Sequence, residues 1–211
     1  AEGPQVHEVD PETARQMMHA RSGMLERPAP ALPRKDDMTV DGPGGPIPIR
    51  LYQAGTPAAE GPVLTYFHGG GWVIGNIETH DSLCAEIALQ TGWTVVSVDY
   101  RLAPEHPFPA ATEDCIAVTR WLGGSPAAVG HKVTGQILAG DSAGGNLAAA
   151  ASRELAREVP ILAQWLIYPS VDMAAAGGSM EEFAEGYLLT AAGMAWFMAH
   201  YAPDPGHRWA S

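Results

Sequence analysis

The sequence predicts an α/β fold in which helices flank a mostly parallel β-sheet. Apolar runs of strand length alternate with helical segments along most of the chain. This alternation is typical of a parallel sheet that is covered on both faces. The chain has 211 residues, of which 46% are apolar and 17% charged, so it can bury one sizeable core. We therefore expect one domain.

The individual elements follow from helix-capping residues and from the spacing of apolar side chains. Asp10-Pro11-Glu12 predicts a helix start, because it supplies an N-cap, a first-turn proline and a first-turn acid. The glycines within residues 41–45 predict a turn between the first two strands. The expected strands are 37–40, 47–53, 63–67, 93–98, one at Gln136, and 161–167. The expected later helices are 81–90, 110–122, one after Ser142, and 191–201.

The pentapeptide Gly140-Asp-Ser-Ala-Gly144 has the G-x-S-x-G pattern of a nucleophile elbow. It follows an apolar run and opens a stretch of small residues, as a strand-to-helix junction requires. Small residues beside the serine allow the sharp turn that lifts its hydroxyl off the sheet edge. The pattern predicts that Ser142 is a nucleophile and that Asp141 braces the elbow.

A second glycine-rich motif, His68-Gly-Gly-Gly-Trp72, follows the apolar run 63–67. Such loops supply backbone N–H groups either to a developing oxyanion or to the pyrophosphate of a dinucleotide. A dinucleotide site needs a helix that opens at the glycines, and residues 72–76 are a poor helix start. We therefore predict an oxyanion loop.

Taken together, these motifs resemble the hormone-sensitive-lipase-like branch of the α/β-hydrolase superfamily, the bacterial family IV carboxylesterases. Four further segments share the resemblance: 79–81, 99–111, 168–170 and 185–190. The resemblance covers nearly the whole chain. It implies an α/β-hydrolase fold with a helical lid over the catalytic end of the sheet, and hydrolysis of esters with short to medium acyl groups.

The resemblance also implies roles for residues and segments. Ser142 forms an acyl-enzyme, and the backbone N–H groups of Gly70, Gly71 and Ala143 form the oxyanion hole. The implied organisation is a first lid segment at 1–35, a hydrolase core at 36–170, a second lid segment at 171–205 and a further core segment that starts at 206–211. Methionine and aromatic side chains of the lid could line an acyl pocket, at 17, 18, 24, 194 and 196–198.

A general base for Ser142 is missing from this pattern. In α/β-hydrolases the acid and then the histidine follow the serine on later strands, and the residues after Ser170 have the pattern of a lid. We expect the triad acid, the histidine and the last strands to lie beyond residue 211, and the chain alone to be poorly stable and weakly active or inactive. The histidines present are expected to be structural or to lie on the lid: His68, His80, His106, His200 and His207.

Composition excludes several classes of partner. A net charge of −12 argues against nucleic acids and anionic membranes. Neither a membrane-spanning run nor a secretion signal is evident, so we expect a cytoplasmic protein with Cys84 and Cys115 as buried thiols. We expect no cofactor. We also expect no metal site, because Asp10 and Pro11 stand where a zinc motif at His7-Glu8 needs helix and its second histidine.

Two alternatives stay open beside an esterase that acts on a small ester. One is a non-catalytic ligand-binding module of the same fold, as in the plant gibberellin receptors, which share both motifs but lack the catalytic histidine. The other is an amidase or formamidase, whose nucleophile and oxyanion loop look the same. The sequence is also compatible with a homodimer.

Overall fold

The computed structural model describes residues 3–25, 27–175 and 177–210. Its strands are β1 (Arg34–Gly42), β2 (Gly45–Gln53), β3 (Glu60–Phe67), β4 (Thr94–Val98), β5 (Lys132–Asp141) and β6 (Ile161–Ile167). Its α-helices are α1 (Pro11–Leu25), α2 (Asp81–Thr91), α3 (Ala110–Gly123), α4 (Ala143–Leu155), α5 (Ser179–Glu182) and α6 (Ala191–Tyr201). Every expected element is present, and the short helix α5 is an addition that the sequence did not predict.

Within these residues the strands form one sheet in the order β1-β2-β4-β3-β5-β6. Strands β4, β3, β5 and β6 are parallel, whereas β1 and β2 form an antiparallel hairpin that joins the sheet through β4. The mostly parallel α/β sheet that the sequence predicts is therefore confirmed. The hairpin turn lies where the glycines predicted it, and Gly42 pairs with Gly45.

Helices cover both faces of the sheet. On one face α3 and α4 pack with the larger cluster of buried side chains, which includes Leu122 and Leu147. On the other face α2 supplies Cys84 and Ala88 to a smaller cluster. Both cysteines are buried thiols, as expected. In α/β proteins, sites lie at the carboxyl ends of the parallel strands.

The outer strand β6 is apolar and partly exposed. In the described residues it pairs with β5 alone, and Leu162 and Trp165 are 57% and 45% exposed. An apolar edge of this kind is a template for pairing with a further strand. Among the described residues, no helix has the length and hydropathy needed to cross a bilayer.

Candidate active site

Ser142 lies at the junction of β5 and α4 with a backbone that few serines adopt. Its φ is 53° and its ψ is −115°, which is a strained conformation for a residue with a side chain. Neighbouring backbone groups hold it there: its N–H donates to the Ile167 carbonyl at 2.9 Å, and the Ser170 N–H donates to its carbonyl at 3.2 Å. The junction therefore fixes Ser142 against the end of β6.

Gly144 explains why the elbow and the oxyanion loop lie side by side. A Cβ at Gly144 would stand 2.6 Å from the His68 carbonyl oxygen and closer still to that of Phe67. The first turn of α4 thus packs directly on the backbone where β3 ends. Because β3 and β5 are parallel neighbours, the two glycine-rich motifs leave the same edge of the sheet.

The oxyanion loop is a tight turn that depends on glycine. Gly70 and Gly71 have φ values of 120° and 58°, which side chains rarely permit. The Gly70 carbonyl accepts hydrogen bonds from the Val73 N–H at 3.1 Å and the Ile74 N–H at 2.9 Å. No helix opens at these glycines, and α2 begins only at Asp81, so a dinucleotide-binding turn does not fit.

Asp141 connects the elbow to this loop. Its Oδ1 accepts hydrogen bonds from the Gly69 N–H at 2.8 Å and from the Tyr66 hydroxyl at 2.9 Å. The His80 Nε2 lies 3.3 Å from the same oxygen. Burial alone would raise the pKa of Asp141, but the hydrogen bonds from His80 and Tyr66 outweigh it and lower the pKa. Asp141 is therefore a charged brace between two loops, and the sequence did not point to its partners Tyr66 and His80.

His68 is a structural part of the oxyanion loop. Its ring is fully buried and stacks on the Tyr100 ring, with 4.2 Å between ring centroids. The Tyr100 hydroxyl donates to the His68 carbonyl at 2.7 Å, and the His68 Nδ1 lies 2.8 Å from the Gly69 carbonyl. Burial lowers the pKa of His68 to about 3, so the ring is neutral at physiological pH.

In the described part of the chain, the contacts recorded for His200, His207 and His106 are with residues other than Ser142. The His200 ring packs edge-on against Trp196, with 4.4 Å between centroids. The His207 Nδ1 accepts from the Trp209 N–H at 3.2 Å. The backbone N–H of His106 donates to the Leu102 carbonyl at 2.9 Å.

Both segments that the resemblance assigns to a lid contact the oxyanion loop. From α6, the Phe197 ring lies against Gly71, where an added Cβ would be 2.8 Å from Phe197 Cε1 and closer to Cδ1. Tyr201 stacks on Trp72 with 4.4 Å between ring centroids. From α1, the Arg15 Nε donates to the Val73 carbonyl at 2.9 Å.

One lid side chain does not fit the acyl pocket that the sequence suggested. Met24 is 78% exposed and points to solvent at the end of α1. By contrast, Trp196, Phe197 and Met198 are partly buried against the main core. The apolar surface beside the oxyanion loop therefore comes from α6.

Comparison with known proteins agrees with this geometry. A family model described as alpha/beta hydrolase fold matches residues 64–211. The esterase LipI of Mycobacterium tuberculosis is 45% identical over 173 residues, which are 80% of this chain and 54% of that protein. The ethyl acetate hydrolase of Pseudomonas putida is 34% identical over 96% of this chain and 66% of its own length.

This chain is also similar to solved structures. An α/β hydrolase enzyme from the metagenome of Lake Arreo, Spain, superimposes with a TM-score of 0.90 and 37% identity, over 98% of this chain and 66% of the other. The chain thus spans between about half and two thirds of the length of these relatives. The matched family model and relatives agree with the strained serine after β5 and the glycine turn after β3. The chain therefore belongs to the α/β-hydrolase family, in the hormone-sensitive-lipase-like esterase branch.

Proposed function

We propose that this protein hydrolyses carboxylic esters of small molecules with short to medium acyl groups. Ser142 is the nucleophile, and the backbone N–H groups of Gly70, Gly71 and Ala143 form the oxyanion hole. The names of the relatives support this proposal, since LipI is an esterase and the Pseudomonas putida protein an ethyl acetate hydrolase.

The backbone of Ser142 carries the proposal. A non-glycine residue in such a conformation costs on the order of 1–3 kcal/mol, and it persists where its surroundings over-determine it. A serine with a purely structural role in a turn does not need that strain. The backbone that carries this strain leaves the sheet beside the glycine turn of residues 69–74, which supports a catalytic role for Ser142.

The chemistry follows from this arrangement. The Ser142 Oγ attacks the ester carbonyl, its proton passes to a base, and the carbonyl oxygen becomes an oxyanion that accepts backbone hydrogen bonds. The ester C–O bond then breaks and the base gives its proton to the leaving oxygen, so the alcohol departs. Water next attacks the acyl-enzyme, the base takes the proton of this water and returns it to the Ser142 oxygen, and the acid is released. Each oxyanion donor contributes about 3–4 kcal/mol in transition states of this type. That the triad acid and histidine lie beyond residue 211 stays a prediction.

Turnover of p-nitrophenyl butyrate by the protein as its gene encodes it tests the proposal. Ser142→Ala is compared with Ser152→Ala, a control on α4 whose hydroxyl has no hydrogen-bond partner among the described residues. We expect Ser142→Ala to lose at least about 10³-fold in kcat and the control to retain it. Turnover that survives Ser142→Ala would contradict the proposal.

Two further measurements on the wild-type protein, ester binding and turnover of a p-nitroanilide, separate the alternatives. Saturable binding of the ester without turnover by the wild-type protein favours a non-catalytic ligand-binding module. Faster turnover of the p-nitroanilide than of the ester favours an amidase or formamidase. The ester is expected to react faster, because the named relatives are esterases.

We also propose a segment organisation, a location and an assembly for the protein. We assign residues 1–35 and 171–205 to the lid, 36–170 to the core and 206–211 to a further core segment, supported by the contacts of α1 and α6 with the oxyanion loop. The cytoplasm as location, a homodimer, and the absence of nucleic-acid and membrane partners stay predictions from the sequence. Size-exclusion chromatography with light scattering tests the homodimer.

A further inference from the structure

Arg15 is the polar contact that joins α1 to the oxyanion loop. Its Nε donates to the Val73 carbonyl at 2.9 Å, and its Nη2 donates to the Ala103 carbonyl at 2.9 Å. Both acceptors are backbone groups, and the Arg15 side chain is only 23% exposed. A partly buried guanidinium therefore holds the backbone of two segments that meet behind the glycines.

The Val73 carbonyl is the start of a chain of two peptide groups. It shares a peptide plane with the Ile74 N–H, which donates to the Gly70 carbonyl at 2.9 Å. The Gly70 carbonyl in turn shares a peptide plane with the Gly71 N–H. Because peptide groups are planar, fixing each carbonyl also fixes the N–H opposite to it. The chain that begins at the Arg15 guanidinium thus ends at the Gly71 N–H.

A second path braces the same turn. The Ala103 residue, whose carbonyl Arg15 holds, donates its own N–H to the Trp72 carbonyl at 2.9 Å. Trp72 shares its peptide plane with the Val73 N–H, which donates to the Gly70 carbonyl at 3.1 Å. Both paths from Arg15 therefore converge on the one carbonyl that orients the Gly71 N–H.

The positive charge of Arg15 at the start of this chain also makes the N–H at its other end, that of Gly71, a stronger hydrogen-bond donor. Hydrogen bonds with a charged donor are stronger than neutral ones, and consecutive bonds polarise one another by about 10–30% each. The positive guanidinium draws electron density toward the Val73 carbonyl, so each N–H farther along becomes a better donor. An oxyanion hole benefits from that polarisation because its donors act on developing negative charge.

Glu105 holds the guanidinium in place from the opposite side. Its carboxylate accepts from the Arg15 Nη1 at 2.9 Å and from Nη2 at 2.6 Å, a two-bond contact that fixes the plane of the guanidinium. Glu105 is 55% exposed, so we assign this ion pair an orienting role and little net stabilisation.

We propose that Arg15 is a positioning residue that orients and polarises the Gly71 N–H through the Val73–Ile74 and Gly70–Gly71 peptide groups. This inference rests on the proposed function, because it gives the Gly71 N–H its role. It assigns the N-terminal helix a part in the chemical step, whereas a lid that only covers the site would affect substrate binding.

The amide proton resonance of Gly71, assigned in ¹⁵N-labelled protein, tests the link without any turnover. The variants are Arg15→Met, which removes the charge at similar length, and Arg21→Met, a control at an exposed position of the same helix. We expect the Gly71 amide proton to move upfield in Arg15→Met, because its hydrogen-bonded chain is depolarised, and to stay in place in Arg21→Met. An unmoved resonance in folded Arg15→Met would overturn the proposal.

Kinetics then test the consequence for catalysis. We expect Arg15→Met to lower kcat for p-nitrophenyl butyrate by about tenfold, less than the loss of a whole oxyanion donor, with KM nearly unchanged. Arg15→Lys keeps the charge and is expected to recover part of kcat. Equal kcat for Arg15→Met and Arg21→Met would overturn the catalytic role.

A further variant, Glu105→Gln, covers the case in which Arg15→Met does not fold. Glu105→Gln leaves the guanidinium charged but removes the carboxylate that orients it, so a shift of the Gly71 amide proton is expected, and no shift would count against the proposal. A failure of the proposed function gives a different result. In that case Ser142→Ala retains ester turnover, and this result does not depend on the position of the Gly71 resonance.

Discussion

Replacing Gly144 by alanine tests how closely α4 must approach β3 to present the nucleophile. The new Cβ would lie 2.6 Å from the His68 carbonyl oxygen and nearer to that of Phe67, where ordinary contact begins at 3.4 Å. These backbone carbonyl oxygens, at the end of β3 and directly after it, cannot rotate away as a flexible side chain would. The start of α4, which carries the elbow, must therefore withdraw by about 1 Å or more.

The size of the effect follows from two opposing contributions. Alanine in place of a helical glycine stabilises a helix by up to about 1 kcal/mol. Overpacking against a rigid neighbour costs about 1–3 kcal/mol, and the backbone obstacle places Gly144→Ala at the upper end. We expect a net loss of about 2 kcal/mol in the free energy of unfolding. Displacing the nucleophile by about 1 Å lowers kcat on the order of 10²-fold.

Urea unfolding and ester turnover measure the two effects, with Gly23→Ala as the matched control. Gly23 also lies in a helix, but a Cβ there would meet nothing within 4 Å. We expect Gly23→Ala to equal or exceed the wild type in the free energy of unfolding and to match it in kcat. If Gly144→Ala were as stable and as active as Gly23→Ala, close packing of α4 on β3 would not position Ser142.

Three further substitutions have defined outcomes. Burial raises the pKa of Asp99 to about 6, so the wild type loses stability as this carboxyl ionises. Asp99→Asn should therefore raise the free energy of unfolding by about 2 kcal/mol near pH 8 but leave it unchanged near pH 3.5. Equal effects in urea unfolding at both pH values would refute this. Asp141→Asn should lower kcat about tenfold, since the amide loses the charge that faces His80; an unchanged kcat would show that charge is unimportant. Phe197→Ala should raise kcat/KM for long acyl esters relative to short ones, because it removes the ring that packs on the oxyanion loop; a constant ratio across a chain-length series would exclude this.

The regular elements could be predicted because their signals are local. Helix α2 was expected at 81–90 and spans Asp81–Thr91, and β6 was expected at 161–167 and spans Ile161–Ile167. Strand β1 was expected at 37–40 but spans Arg34–Gly42, because pairing with β2 continues through polar residues that lack an apolar alternation. Helix α5 was missed since Ser179–Glu182 is too short for a periodic pattern.

The candidate site could be predicted only in part. The elbow and the glycine turn are contiguous motifs whose backbone demands are visible in the residue types. The contacts that tie them together are not contiguous: Arg15 reaches a carbonyl 58 positions away, and Gly69 reaches the Asp141 carboxylate 72 positions away. Residue types alone do not indicate such contacts, because they depend on how the strands are ordered in the sheet.

The most direct test of Ser142 as the nucleophile is mass spectrometry of the protein, as its gene encodes it, after reaction with a fluorophosphonate. A phosphonyl group transfers only to an activated hydroxyl, so its position on the chain identifies the nucleophile. We predict one adduct, located on the peptide that contains Ser142, and its absence from Ser142→Ala with ester turnover lost in parallel. An adduct on another serine, or ester turnover by Ser142→Ala without any adduct, would contradict the assignment.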